Sequence, residues 1–96
     1  MKLEWDAAKR RANLAKHRLD FSDAEDVFRG ATFTLEDERF AYGENRFITI
    51  GMLRGTVVVI AHTEQEDVVR VISMRKATRN EEELYFQGFA NGLGTD

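Results

Sequence analysis

The sequence predicts an α+β domain in which helices pack on one face of an antiparallel sheet. Hydrophobic spacing is helical from the N-terminus to about Gly30. From Ala31 it changes to runs of β-branched residues separated by short polar turns. A capping pattern then reappears after the last run, so the expected order is α-α-β-β-β-β-α.

The first helix is expected from Trp5, Ala8, Ala12, Ala15 and Leu19, which recur at spacings of three and four, with Asp6 as its cap. Lys9, Arg10, Arg11 and Lys16 then fall on the opposite, wet side. A short second helix is expected in "FSDAEDVFRG", where Ser22 and Glu25 have capping-box spacing and Gly30 stands at the stop. "RFITIGM" (46–52), "TVVVIAHT" (56–63) and "VVRVISM" (68–74) have strand composition, and "ATFTL" supplies a fourth. "LRG" and "EQED" are short enough to close hairpins, giving an antiparallel sheet of three to four strands. Thr78 and Glu81 again have capping-box spacing, and a C-terminal helix follows through "EEELYFQGFA". Residues 82–88 differ at one position, Glu83, from a protease site used to remove expression tags; native helix and engineered remnant both remain open. Residues 1–90 are read as one domain and 91–96 as a frayed tail.

At 96 residues the chain holds one modest core. It has no cysteine, which excludes disulfides and thiolate metal sites. The longest apolar run, "VVVIA", is strand-sized, and "MKLEWD" lacks the apolar centre of a signal peptide, so no membrane partner and a cytoplasmic location are expected. The net charge is −3, but its distribution is uneven. Residues 1–18 carry six cations against two acids and residues 69–80 four cations against none, while residues 20–46 carry eight acids against three arginines. Two basic segments can form one basic face on an acidic body.

Within "RVISMRKATR", Arg70, Arg75, Lys76 and Arg79 are four fixed cations in ten residues. They can solvate a strand end, grip an acidic partner or hold phosphates. His62, Thr78, Ser73 and Glu44 complete the polar candidates. Whether His62 shares a face with Arg70 depends on the hairpin: an even loop separates them, and an odd loop or a bulge joins them. No serine or cysteine triad, glycine-rich phosphate loop or metal-ligand spacing is present. Neither metal nor cofactor is expected. Metal-free RNA cleavage needs proton exchange at the 2′-hydroxyl and the leaving 5′-oxygen, and cations for the growing phosphorane charge. Histidine or a lysine suits the first task and arginine forks suit the second.

The order "EWD…KR.NL.KH…F..A..VF", then "ERFITIG…VVVI.HTE…..R.IS.RKAT..E...Y", resembles the BrnT family of bacterial type II toxins over 2–85. The most specific motifs are "KH" (Lys16–His17), "RFITIG" (46–51), "HTE" (62–64) and "RKAT" (75–78). Arg18 stands where the family commonly has glycine, and Met74 where a small residue is common. The resemblance implies a RelE-like ribonuclease that inhibits translation. It also implies a BrnA-type antitoxin partner carrying a ribbon-helix-helix segment, with operator DNA bound only through the complex.

On this reading Arg70 and Arg75 stabilise phosphate and transition state, and His62 and Lys76 are candidates for proton transfer. Arg79 is a peripheral phosphate contact and Thr78 a helix cap. Lys16 and His17 either extend the RNA face or complement the dipole at a helix C-terminus. A non-catalytic protein- or nucleic-acid-binding module with the same basic face is the alternative.

Overall fold

The computed structural model describes residues 1–38 and 43–94. In chain order the elements are β1 (Lys2–Trp5), α1 (Ala7–His17), a 3-10 turn (Phe21–Asp23) running into α2 (Ala24–Arg29), β2 (Thr32–Asp37), β3 (Arg46–Leu53), β4 (Thr56–Gln65), β5 (Val68–Lys76) and α3 (Arg79–Gly94). The sheet order is β1-β5-β4-β3-β2. Strands β2 to β5 pair antiparallel as expected, whereas β1 lies parallel to β5. The sheet is therefore mixed and has five strands, not the three or four antiparallel strands expected. The missed strand is four residues long, and its partner Val68–Val71 lies more than sixty residues away. Nothing local announces such a pairing.

The helices also divide differently. Phe21, Ala24 and Val27 pack on Val58, Ile60, Val71 and Met74, on one side of the sheet. Tyr85 of α3 packs on Ile50, Val57 and Val59, on the other. Helices thus cover both faces rather than one. The contact between α2 and β3 is close enough that a Cβ at Gly51 would lie 2.6 Å from Val27 Cγ1, so glycine is required there.

Helix α1 is capped as expected, with Lys9 N donating to Asp6 Oδ1 at 3.0 Å. Its rotation is not the expected one. Ala8, Ala12 and Ala15 face solvent, Trp5 belongs to β1, and the inward positions are Arg10, Asn13 and His17. The apolar stripe failed as a guide because this helix docks through polar side chains that are satisfied on docking. Arg10 forks onto Asp20 at 2.7 and 2.9 Å. Buried Asn13 accepts from Met74 N at 3.1 Å, donates to Met74 O at 2.9 Å and donates to Leu19 O at 3.1 Å. Strand β1 pairs with β5 only as far as Val71, so Asn13 supplies the next rung of the ladder to the open edge.

The chain leaves α1 through Arg18, which adopts the left-handed conformation at φ 61°. Glycine takes that conformation without a Cβ penalty, whereas arginine carries one. The cap of the next turn is Asp20, accepting from Ser22 N at 3.0 Å, rather than the expected Ser22–Glu25 box. Gly30 does end α2, with φ −88°, an angle open to any residue. The expected box at α3 forms: Glu81 Oε1 accepts from Thr78 N at 2.8 Å and Thr78 Oγ1 from Glu81 N at 3.3 Å. Tyr85 is buried and its hydroxyl donates to Ala31 O at 2.9 Å. Residues 91–94 continue α3, and 95–96 lie outside the described residues.

Two outcomes are expected in urea unfolding. Asn13→Ala leaves the buried N–H and C=O of Met74 without partners and should cost about 2–4 kcal/mol; a loss under about 0.5 kcal/mol would show that Asn13 does not hold α1 to β5. Arg18→Gly relieves the left-handed strain and should stabilise by about 1 kcal/mol; an unchanged or lower midpoint would contradict the strain.

Candidate active site

The site is decided by one irregularity in the β4–β5 hairpin. The turn between Gln65 and Val68 holds two residues, Glu66 and Asp67, so the loop is even. Thr63 pairs with Arg70 and His62 with Val71, which places His62 and Arg70 on opposite faces. Between His62 and Ala61 the register then shifts, because Ala61 pairs with Ser73. Ile72 is the extra residue of a β-bulge. In a regular strand Arg70 would share its face with Ile72, Met74 and Lys76. The bulge instead aligns Arg70, Ser73 and Arg75, and turns Met74 into the core.

Arg75 is partly exposed and held in place. Its Nη1 and Nη2 donate to Glu81 Oε1 and Oε2 at 2.7 and 2.8 Å, and Nη1 also donates to Lys76 O at 3.3 Å. The guanidinium thereby ties the end of β5 to the first turn of α3. It also holds the Glu81 carboxyl down to about 2, helped by the Thr78 N–H and opposed by partial burial. Arg70 is exposed on the same face, and its parallel partner on β1 is Glu4. Glu4, Glu44, Thr63 and Arg70 border a cleft of about 300 Å³. Arg46, paired with Thr63 on β3, stands 3.6 Å from Glu44. Carboxylates therefore accompany the arginines of this face.

A second cleft, of about 310 Å³, lies between α1 and the open edge of β5 and is lined in part by Lys9, Asn13, Lys16, His17, Ile72 and Ser73. No carboxylate among the described residues lines it. Ser73 belongs both to this cleft and to the Arg70–Arg75 face, so the two basic surfaces join around the strand edge. The "KH" pair thus shares with the arginine face one bordering residue, Ser73.

His62 occupies a different environment. It is fully buried, edge-on to Phe28 at 5.2 Å and stacked on Phe47 at 5.9 Å. Its Nε2 lies 2.7 Å from Thr49 Oγ1, which in turn lies 2.8 Å from Thr34 Oγ1. Its Nδ1 has no hydrogen-bond partner among the described residues and is 3.7 Å from Glu64. Burial pushes its pKa down, against a smaller opposing effect of Glu64, so the neutral ring is favoured. Proton transfer to a substrate by His62 would require this part of the core to open. Lys76 is exposed, but its register partner Val58 places it on the face opposite Arg75. Arg79 is almost wholly exposed, 3.7 Å from Glu83.

Sequence comparison adds an independent finding. Residues 5–81 match the family described as the ribonuclease toxin, BrnT, of type II toxin-antitoxin systems. The chain belongs to the BrnT family. No curated protein matches it. A type II toxin has an antitoxin partner, so this BrnT chain is one half of a toxin–antitoxin pair. The matched span holds both arginines of the exposed face, the whole α1 edge and Glu81 at its last position. No helix among the described residues is long and apolar enough to cross a membrane.

Lys9 and the partner role of Glu81 were not singled out from sequence. Glu81 is visible there only as a helix cap, although its six-residue distance from Arg75 spans a strand–helix junction that can fold it back. Lys9 is one of several exposed cations, and only the docking of α1 on β5 distinguishes it.

The Arg75–Glu81 pair yields a pH prediction. The folded Glu81 carboxyl titrates at about 2, below its ordinary value of 4.5. The unfolded chain therefore binds more protons as pH falls, so the stabilisation is complete above about 4.5 and is lost through about 2. Glu81→Gln should show a flatter melting-temperature profile than the parent protein across that window. Parallel profiles would mean that the pair contributes no pH-dependent stability.

Proposed function

We propose that this BrnT toxin cleaves RNA without a metal, by attack of the 2′-hydroxyl on the adjacent phosphorus, on the surface formed by Arg70, Ser73 and Arg75. The observation that carries the reading is the bulge at Ile72, which brings two arginines separated by five positions to one face of a ribonuclease-family fold. Guanidinium groups match phosphate oxygens with paired donors and stabilise the charge that grows on them in the transition state. Arg75 is already oriented by Glu81, so little ordering is left for the reaction to impose. Lys16 and the exposed Arg79 extend the phosphate-binding surface, and the fold is read as RelE-like.

Cleavage of this kind, directed at translated RNA, accounts for growth arrest by the free toxin. A BrnA-type antitoxin with a ribbon-helix-helix segment neutralises it by covering the basic face, and the complex represses its own operon through the antitoxin's DNA contacts. Acidic or helical antitoxin segments suit a surface that carries Arg70 and Arg75 and borders, at Ser73, the cleft of the α1 lysines.

Single-turnover cleavage at saturating protein tests the reading. RNA should be cut in the presence of a chelator and carry 2′,3′-cyclic phosphate ends. Arg70→Ala should slow the chemical step by roughly 10²-fold or more, whereas Arg79→Ala should mainly weaken binding and flatten its salt dependence. Arg75→Ala should slow cleavage similarly, but its folding must be followed by circular dichroism because the residue also anchors α3. Complete loss of activity in EDTA with rescue by magnesium, or a folded Arg70→Ala protein that cleaves at the parent rate, would overturn the assignment.

A further inference from the structure

We infer that His17 is the proton donor to the leaving 5′-oxygen, and that the cleft between α1 and β5 is where the scissile phosphodiester of an RNA strand lies. The inference rests on the ribonuclease reading above. It starts from a census: the chain has two histidines. Imidazole is the side chain best suited to proton exchange near neutral pH. His62 is closed in the core between two phenylalanines with its Nε2 on Thr49. His17 is half-buried in a surface cleft lined by Lys9, Lys16 and Ser73.

Three features of that cleft suit the role. Its charged lining is cationic, with Lys9 and Lys16 one above the other on the side of α1 that overlooks β5, so it favours an anion. The cleft borders Ser73, and Ser73 and Arg75 are two positions apart on the same face, roughly 7 Å along the strand. A phosphodiester in the cleft therefore has an arginine of the exposed face close by. Lastly, His17 closes the last turn of α1, so its ring is carried at the cleft by a capped helix end, where Arg18 N donates to Leu14 O. Asn13 takes no direct part. Its amide is committed to Met74 and Leu19, and it sets the height of α1 over the strand edge.

In the proposed step the 2′-oxygen forms its bond to phosphorus and gives its proton to water. The bond from phosphorus to the 5′-oxygen breaks, and that oxygen takes the proton carried by His17. The ring regains a proton from water, leaving a 2′,3′-cyclic phosphate and a free 5′-hydroxyl.

The experiment uses the intact protein and one RNA whose cleavage position has been mapped, prepared with oxygen or sulfur as the 5′-bridging atom at that position. Sulfur leaves without needing a proton. His17→Gln should slow cleavage of the oxygen substrate by roughly 10²–10⁴-fold while staying within about tenfold of the parent protein on the sulfur substrate. The parent protein gives a readout that needs no variant: its rate on oxygen-linked RNA should decline as the donor deprotonates at higher pH, and its rate on sulfur-linked RNA should not. Equal slowing of both substrates by a folded His17→Gln protein would assign His17 to binding or structure and overturn the inference. So would an oxygen-substrate rate within about threefold of the parent, with the ribonuclease reading left standing. A parent protein that cuts neither substrate would overturn both.

Discussion

One residue too many in β5 governs much of this structure. Ile72 has no partner of its own on β4, and the alternation of the strand reverses across it. Before the bulge Val71 points into the core beneath α2, with Val69 buried on the same face; after it Met74 does. The core thus stays continuous along a strand whose outer face changes from Arg70 to Ser73 and Arg75. A regular strand would have put Lys76 beside Arg70, and Arg75, facing the other side, would have lost Glu81. The bulge therefore serves packing and surface chemistry together, and neither could be altered alone.

Asn13 completes that arrangement at the edge. The four residues of β1 run out at Val71, just where the bulge begins, and the backbone of Met74 would face outward unpaired. A side-chain amide has one donor end and one acceptor end, so a single asparagine can answer both groups. This sets α1 against the open edge through polar contacts and leaves its alanines in water. The arrangement also gathers cations along one cleft of a chain whose net charge is −3. Lys9, Lys16 and His17 line one cleft with Ser73 of β5 only because the helix is held at this edge.

The two histidines occupy contrasting environments. His62 follows aliphatic Ile60 on the same face and continues the core, with the Thr49 hydroxyl meeting its Nε2 and the Thr34 hydroxyl meeting that of Thr49. Desolvation favours its neutral form there. His17 stands at a helix end beside cations and solvent. From sequence His62 is a candidate for proton transfer because imidazole suits that task and because the "HTE" motif belongs to the family resemblance, although it ends a run of aliphatic residues. The alternation of β4 carries it inward.

Much of the fold was legible in local sequence. Strands β2 to β5, the Asp6 cap, the Thr78–Glu81 box and the end of α2 at Gly30 are written in β-branching, capping spacing and glycine placement, all short-range properties. The "RKAT" and "KH" motifs were legible too, and both lie within the span of the family match. What remained hidden depends on contacts between distant segments. Strand β1 exists because Lys2–Trp5 meets β5, α1 turns its polar side inward because Asn13 and Arg10 find Met74 and Asp20, and Arg75 is anchored because α3 brings Glu81 back. Sequence by itself determined which residue types were available for phosphate chemistry. Only tertiary structure decided which of them share a surface, because a single bulge reverses strand parity and no local preference specifies where it falls.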